Sequence, residues 1–197
     1  MVAVSKGQAA GKIRPLQAAG QQAFGENYVQ EALQKQAELA DLNIEWHFIG
    51  PIQSNKTREI ARHFHWVQSV DREKILSRLS RQRPQGHPDL NVCLQVNIDR
   101  ETQKSGALPE DIPQLAQLAS SLPGLKLRGL MAIPRVCSDG RGSARSFEGM
   151  FSLYRSLSES GLALDTLSMG MSADLELAIQ AGSTMVRIGT ALFGLRN

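Results

Sequence analysis

The sequence predicts an α/β fold in which eight parallel strands close into a (β/α)8 barrel. Short apolar segments rich in β-branched residues recur along the chain, and amphipathic stretches lie between them. Most of these segments are too short and too apolar to be strands with one face in water, so we expect them to be buried on both faces, as parallel strands are. Their eightfold repetition favours a closed barrel over an open sheet.

The eight candidate strands follow one another at intervals that leave little room for long connections. A chain of 197 residues is short for a fold that typically takes about 250, so we expect tight loops and one domain over residues 1–197. The candidate strands are Val2–Ser5, Ala23–Gly25, Glu45–Ile49, Trp66–Val70, Val92–Ile98, Leu125–Ile133, Thr166–Gly170 and Met185–Gly189.

Helix patterns with recognisable start residues lie between the strands. Asn27, Ser54, Asp71, Pro109 and Ser143 each precede apolar residues spaced three and four apart, which is the pattern of one buried helix face. Two longer loops are predicted after the fifth and sixth strands, at Asp99–Pro109 and Arg135–Ser143. Both would emerge at the carboxyl ends of the strands, where barrels of this type form their binding sites.

Composition and charge exclude several classes of protein. No apolar run reaches the length of about 18 residues that a membrane helix needs, and the first residues lack the features of a secretory signal. Cys93 and Cys137 cannot make a disulfide framework, and the four histidines lack metal-ligand spacing. The net charge of +3 is small, and the basic residues from Arg72 to Arg83 fit a solvated helix face. We therefore expect a cytoplasmic protein without nucleic-acid, membrane or metal partners.

Small polar residues end the last two candidate strands. Ser168-Met-Gly-Met-Ser172 supplies two hydroxyls and a glycine, and Gly189-Thr190 supplies a glycine and a hydroxyl on the neighbouring strand. Barrels often bind phosphate with the loops after strands seven and eight, through backbone N–H groups near a helix start. Either motif alone is more simply explained as small residues that turn the chain, but the two motifs on adjacent strands together predict a phosphate site.

A lysine and an arginine complete the candidate site. Lys6 ends the first strand, and a lysine at a barrel mouth can act as a nucleophile that forms a Schiff base. A phosphate site beside such a lysine indicates pyridoxal 5'-phosphate (PLP) as the cofactor. Arg187, if it points inward, would face the ring nitrogen and donate to it. The plainer alternatives are a surface lysine past a strand and an exposed arginine at a strand end.

The chain resembles the pyridoxal phosphate homeostasis proteins, a family of PLP-binding barrels, over nearly its whole length. The matching segments occur in the family's order. They are Ala3-Val-Ser-Lys6, Phe24-Gly-Glu-Asn-Tyr-Val-Gln-Glu31, Glu45-Trp-His-Phe-Ile-Gly-Pro51, Gln53-Ser-Asn-Lys56, Lys104-Ser-Gly106, Arg128-Gly-Leu-Met-Ala-Ile133, Leu167-Ser-Met-Gly-Met-Ser172, Val186-Arg-Ile-Gly-Thr190 and Phe193-Gly194.

The resemblance implies a barrel like the N-terminal domain of alanine racemase, PLP fold type III, and it implies a role for each site residue. Lys6 would form the Schiff base, and Arg187 would face the ring nitrogen. Ser168, Ser172, Gly189 and Thr190 would hold the phosphate, and Asn27 would lie near the ring.

The resemblance also implies a function in intracellular PLP (vitamin B6) homeostasis. The protein would carry or buffer PLP as a monomer, with PLP-dependent apo-enzymes as recipients and without a catalytic reaction. The alternative is a PLP-dependent, racemase-like enzyme. A racemase needs a second base, and Tyr28 is the tyrosine nearest the expected mouth, since Tyr154 falls within a predicted helix.

The sequence departs from the family pattern at its N-terminal end and at position 8, and it leaves two interpretations of Lys104. We expect a barrel without the family's N-terminal helix, because the sequence starts within the first strand. A lysine common in the family two positions after the Schiff-base lysine is Gln8 here, which bears on any transfer route that uses it. Lys104, in the loop after strand five, is either an ordinary loop lysine or a secondary PLP site.

Overall fold

Eight parallel strands form one sheet in the computed structural model, which describes residues 1–135 and 141–194. Along the sheet the strands follow the order β7-β6-β5-β4-β3-β2-β1-β8. Each observed strand overlaps its predicted segment, so the predicted α/β barrel is confirmed. The strands are β1 Val2–Val4, β2 Ala23–Glu26, β3 Glu45–Phe48, β4 Trp66–Val70, β5 Leu90–Gln95, β6 Leu125–Met131, β7 Thr166–Ser168 and β8 Arg187–Ile188.

The barrel closes where the two ends of the chain meet. β8 pairs with β1 through Val2 opposite Arg187 and Ala3 opposite Ile188. On its other side, β8 meets β7 through backbone hydrogen bonds from Met169 N–H to Met185 O (3.1 Å) and from Arg187 N–H to Gly170 O (3.0 Å). β8 therefore joins residues near position 6 to residues near position 170 at the same end of the barrel.

Helices form the outer layer. The α-helices are α1 Ile13–Ala18, α2 Val29–Glu38, α3 Thr57–His63, α4 Glu73–Gln82, α5 Ile112–Ser121, α6 Arg141–Glu159, α7 Leu175–Gln180 and α8 Thr190–Phe193. Short 3-10 turns at Ala10–Lys12, Ser54–Lys56 and Pro109–Asp111 lead into α1, α3 and α5. Within the described residues, no helix is both long and apolar enough to span a membrane.

The five helices with predicted start residues are all present, with small shifts at their first residues. Ser54 and Pro109 begin 3-10 turns, so α3 and α5 start three residues later. α6 starts at Arg141, two residues before the predicted Ser143, and the loop positions 136–140, with Cys137, lie outside the described residues. On α4, Ile75, Leu76 and Leu79 are buried while the basic side chains of Lys74 and Arg81 face solvent, as expected.

A line of hydrogen-bonded polar side chains runs through the barrel interior. Arg187 donates to Ser168 Oγ (2.7 Å), Ser168 donates to Gln68 Oε1 (2.6 Å), and Gln68 Nε2 lies 2.9 Å from His47 Nδ1. Because arginine can only donate, the serine hydroxyl accepts from Arg187 and donates its own hydrogen bond to Gln68. The Gln68 amide then donates to Nδ1 of His47. His47 is left as the Nε2–H tautomer, which donates to Glu45 Oε1 (2.8 Å).

Glycine at position 129 permits two neighbouring strands to approach each other. The pairing of β5 with β6 shifts register between Val92 and Cys93, and Gly129 has φ of +156°. A Cβ atom at this position would overlap the carbonyl oxygen of Thr166 in β7. Because that oxygen belongs to the backbone of an adjacent strand, no side-chain rotation can relieve the overlap.

Gly129→Ala should therefore lower the free energy of unfolding by about 3 kcal/mol, the upper end of the usual cost of overpacking a core. Chemical denaturation monitored by circular dichroism measures the change. Gly11→Ala is the matched control, because a Cβ at Gly11 meets no atom within 4 Å. Equal stability of the two variants would contradict the packing argument.

The buried His47 gives the folding stability a dependence on pH. Burial lowers the pKa of His47, against the opposing effect of the Glu45 hydrogen bond, and burial also lowers the pKa of His65. Above the unfolded-state pKa of about 6.5, both states hold these imidazoles neutral. As the pH falls from 7 towards 5, the unfolded chain takes up protons that the folded chain does not, so stability should fall.

Thermal unfolding midpoints measured between pH 8 and pH 5 test this expectation. His47→Gln should lose part of the decline, because it removes one of the two imidazoles whose pKa is lowered. His87→Gln, which changes an exposed histidine, should keep the wild-type slope. A slope unchanged in His47→Gln would show that His47 does not carry the effect.

Candidate functional site

A cavity of about 280 Å³ opens at the end of the barrel where the strands finish. The residues that line it lie at the ends of β1 and β8 or follow β1, β2, β3, β6, β7 and β8 in the chain. They are Val4, Lys6, Asn27, Ile49, Ile133, Met171, Ser172, Ala173, Arg187, Gly189 and Thr190. This volume is just below the usual range for small-molecule sites, about 300–1,000 Å³, and suits one small ligand.

The structure brings together six of the seven residues that the sequence singled out. Lys6, Asn27, Ser172, Arg187, Gly189 and Thr190 all line the cavity. Ser168 does not line it. Its side chain is fully buried inside the barrel and is hydrogen bonded to Gln68 and Arg187.

Lys6 reaches the cavity because β1 ends just before it. The backbone still pairs with β2 at Ser5, whose N–H donates to Gly25 O (3.0 Å), and the chain turns at Gly7, which has φ of +69°. Lys6 is half-buried and supplies the one primary amine among the cavity-lining residues of the described chain. A primary amine can attack a carbonyl carbon, so this residue brings nucleophilic chemistry to the site.

Two turns from neighbouring strands form one wall of the cavity. Ser172 and Ala173 lie in the turn between β7 and α7, and Gly189 precedes α8. Within the described chain, no group accepts a hydrogen bond from the backbone N–H of any of these three residues. Unpaired N–H groups before a helix attract an anion, and the exposed hydroxyls of Ser172 and Thr190 add two further donors.

Arg187 brings a buried positive charge to the cavity. Its guanidinium donates to Ser168 O (2.8 Å), Ser168 Oγ (2.7 Å) and Ala132 O (2.8 Å), and the residue is only 4% exposed. Burial lowers the pKa of Arg187 to about 10, so the group stays charged at neutral pH. No carboxylate among the described residues forms an ion pair with it. A ligand atom beside Arg187 must therefore be an acceptor or carry negative charge.

Asn27 adds an acceptor that the described part of the protein leaves unused. Its Oδ1 atom is buried without a hydrogen-bond partner there. The backbone of Asn27 is fixed by a close approach to Gly50, where any Cβ would overlap the Asn27 carbonyl. A buried acceptor without a partner costs free energy, and a ligand donor in the cavity would remove that cost.

Residues around the cavity clarify three further sequence predictions. Gln8, at the place of the family's second lysine, accepts a hydrogen bond from Lys12 Nζ (2.7 Å). Lys104 lines a neighbouring cavity of about 270 Å³, where its Nζ lies 2.6 Å from Glu101 Oε1. Tyr154 donates to Leu164 O (3.0 Å) from α6, while Tyr28 is 64% exposed beside Asn27.

Sequence reasoning missed the polar residues that lie behind the cavity wall. Gln68 connects Ser168 to His47, and Lys35 makes a buried ion pair with Glu26 (2.7 Å). Of these, Glu26 alone had a visible signal, since it directly follows a candidate strand. Across the described residues, no group of three or more His, Cys, Asp or Glu side chains is placed to hold a metal ion.

Comparisons with known proteins place the chain among proteins named for PLP homeostasis. The family model described as "Alanine racemase, N-terminal domain" matches residues 2–197. A protein of Pseudomonas aeruginosa named "Pyridoxal phosphate homeostasis protein" is 60% identical over 197 residues, which span all of this chain and 84% of that protein. The Escherichia coli protein of the same name is 47% identical and matches all of this chain and 86% of its own length.

Solved structures agree with this assignment. The structure of PipY from Synechococcus elongatus without PLP superposes with a TM-score of 0.91 at 41% identity, covering 98% of this chain and 91% of PipY. PipY with PLP bound gives a TM-score of 0.90 at 39% identity, with 98% and 92% coverage.

A more distant neighbour shares the fold alone. Alanine racemase from Corynebacterium glutamicum has a TM-score of 0.71 at 20% identity, and the match covers 98% of this chain but 55% of the racemase. The similarity of fold therefore extends to alanine racemases, whereas the high sequence identity is to the homeostasis proteins. The chain belongs to the family of pyridoxal phosphate homeostasis proteins, which share the barrel of the alanine racemase N-terminal domain.

Proposed function

We propose that this protein binds PLP in the mouth cavity and carries or buffers it for intracellular PLP homeostasis. One observation carries the proposal. A single cavity contains one amine, one buried arginine and two turns whose backbone N–H groups have no acceptor in the described chain. PLP is a pyridine ring that carries an aldehyde and a phosphate group. The amine matches the aldehyde, the arginine matches the ring nitrogen, and the turns match the phosphate. The PLP-bound structure of the relative PipY supports the same cofactor here.

Each residue has a distinct part in this proposal. Lys6 Nζ attacks the aldehyde carbon, a C=N bond forms, and one water molecule leaves. Ser172, Gly189 and Thr190 hold the phosphate through their hydroxyls and N–H groups, next to the start of α8. Arg187 donates to the ring nitrogen, and Asn27 Oδ1 accepts from a donor at the ring.

Ser168 acts on the arginine in this proposal, not on the phosphate. Its carbonyl and hydroxyl oxygens both accept from Arg187 NH1, so it sets the direction of the guanidinium. Because the hydroxyl also donates to Gln68, it has no proton left to offer the phosphate.

A carrier fits this cavity better than a racemase. Racemisation needs acid–base groups on both faces of the substrate carbon, and Lys6 and Arg187 are the titratable side chains among the described lining residues. The curated relatives are named for homeostasis, which favours the same reading. We further propose that the protein acts as a monomer in the cytoplasm and that PLP-dependent apo-enzymes receive the cofactor.

Replacement of the nucleophile should separate the covalent link from the binding of the phosphate. Lys6→Ala should lose the visible absorbance of the C=N bond and the adduct that borohydride reduction leaves on Lys6. PLP should still bind through the phosphate cradle, but more weakly than it binds the wild type. Absorbance spectra and peptide mass spectrometry after reduction measure both effects.

Lys56→Ala is the matched control, because Lys56 also lies near the mouth but lines a different cavity. Lys56→Ala should keep the spectrum and the adduct of the wild type. A reduced adduct on another lysine of the Lys6→Ala protein, with an unchanged spectrum, would overturn the assignment of Lys6.

Removal of hydroxyls from the phosphate cradle should weaken PLP binding. Ser172→Ala and Thr190→Val each delete one donor to a charged group, which is worth about 1.5–3 kcal/mol. The dissociation constant for PLP should therefore rise about tenfold to hundredfold for each variant, as measured by spectroscopic titration.

Pyridoxal lacks the phosphate, so its affinity should be the same in these variants as in the wild type. Thr102→Val, which alters an exposed loop threonine that lines no part of the cavity, is the control for the threonine change. Equal losses of pyridoxal and PLP affinity would place the two hydroxyls elsewhere than at the phosphate.

A further inference from the structure

A buried ionic cluster lies directly behind the residues that flank Lys6. Lys35, on α2, donates from Nζ to Ser5 O (2.7 Å), Glu26 Oε1 (2.7 Å) and Glu31 Oε1 (2.6 Å). The side chain of Lys35 is 6% exposed and that of Glu26 is fully buried, while that of Glu31 is 29% exposed. All three N–H donors of the Lys35 ammonium are therefore in use.

The cluster holds the backbone on both sides of Lys6. Lys35 binds the carbonyl of Ser5, which belongs to the peptide group before Lys6. Glu31 Oε1 accepts from the N–H of Gly7, which belongs to the peptide group after Lys6 (2.6 Å). β1 has already ended at Val4, so these contacts from α2 take over where the regular pairing of the strand stops.

The hydroxyl of Ser5 adds a third connection. It donates to Glu26 Oε1 (2.6 Å), the same carboxylate oxygen that Lys35 binds. Glu26 is the last residue of β2, so the cluster connects the end of β1, the end of β2 and helix α2.

A buried ion pair is weak evidence for a gain in stability. Desolvation of the charges can exceed their attraction, and apolar side chains of similar size often serve the fold equally well. In this cluster, moreover, one ammonium faces two carboxylates, and Glu26 Oε2 is buried without a partner in the described chain. This arrangement makes directional hydrogen bonds to the backbone beside Lys6, which an apolar cluster could not make.

We infer that Lys35, Glu26 and Glu31 are positioning residues that hold Lys6 in the geometry for covalent capture of PLP. The inference rests on the proposed function, and it adds three residues that do not line the cavity. They act through the backbone of Ser5 and Gly7, so their loss should slow formation of the C=N bond without weakening the phosphate cradle, which is formed by the turns that follow β7 and β8.

Glu31→Ala is the best test variant. Glu31 is the least buried member, and Lys35 keeps Glu26 as a partner after the change. A small displacement of a reacting group can cost up to about a hundredfold in rate. We expect the C=N absorbance to develop about tenfold to hundredfold more slowly after PLP is added, with a smaller yield of the borohydride-reduced adduct on Lys6 at short times.

Three comparisons separate positioning from a general effect on folding. Pyridoxine 5'-phosphate, which has the phosphate but no aldehyde, should bind Glu31→Ala as it binds the wild type. Glu31→Gln keeps an oxygen acceptor for Gly7 N–H and should recover part of the rate. Glu159→Ala removes a carboxylate from another i,i+4 ion pair, with Arg155 on α6, and should keep the wild-type rate.

Each outcome has a defined meaning. A Glu31→Ala rate within twofold of the wild type overturns the inference and leaves the proposed function intact. A parallel loss of pyridoxine 5'-phosphate binding and of thermal stability also overturns it, because the cluster would then serve the fold. A wild-type protein that forms neither the absorbance nor the Lys6 adduct overturns the proposed function and the inference together.

Discussion

The burial of Arg187 is the constraint on which the centre of this molecule depends. A guanidinium removed from water must have acceptors, and the described chain offers it two carbonyl oxygens and one hydroxyl but no carboxylate. Because arginine cannot accept, the direction of every following hydrogen bond is set: Ser168 donates to Gln68, and Gln68 donates to His47. The neutral His47 then donates to Glu45, whose half-exposed carboxylate ends the line near the other end of the barrel. One charge at the mouth thus determines a tautomer inside the barrel.

The closure of the barrel explains why this charge lies beside Lys6. β8 consists of two residues, and it is held by β1 on one side and, on the other, by backbone hydrogen bonds that Met169 and Gly170 make with Met185 and Arg187. Arg187 stands in that strand, so the junction between the first and last strands also brings the amine of Lys6 near the two turns that would hold the phosphate under the proposed function. Any loss of pairing at β8 would separate these groups, and fold and binding site therefore depend on the same few contacts.

The sequence was sufficient for the strands because alternation of apolar segments is a local signal, and all eight segments overlap observed strands. It was less informative for α1, α7 and α8. These helices have four to six residues, and α1 contains Pro15, so their periodicity is too short to recognise.

Strand ends predicted six cavity residues, since such ends share one edge of a barrel. They did not distinguish Ser168, which points into the barrel, from Ser172, which follows the strand. Lys35 could not be found, because an i,i+4 partner of Glu31 on a helix looks like an ordinary surface pair.

The described lining of the cavity includes neither a carboxylate nor a second base, and this bears on the function of the site. An arginine beside a pyridine nitrogen keeps that nitrogen unprotonated, which makes the ring a weaker electron sink than a carboxylate partner would. Tyr154 is committed to Leu164 O, and Tyr28 lies in solvent outside the cavity, so neither stands as a second base in the described structure. Under the proposed function, the site keeps an amine able to form a reversible C=N bond and a set of N–H and hydroxyl donors able to hold the phosphate when that bond is broken. Reversible capture needs no second base, whereas racemisation does, and this is the physical reason for preferring a carrier.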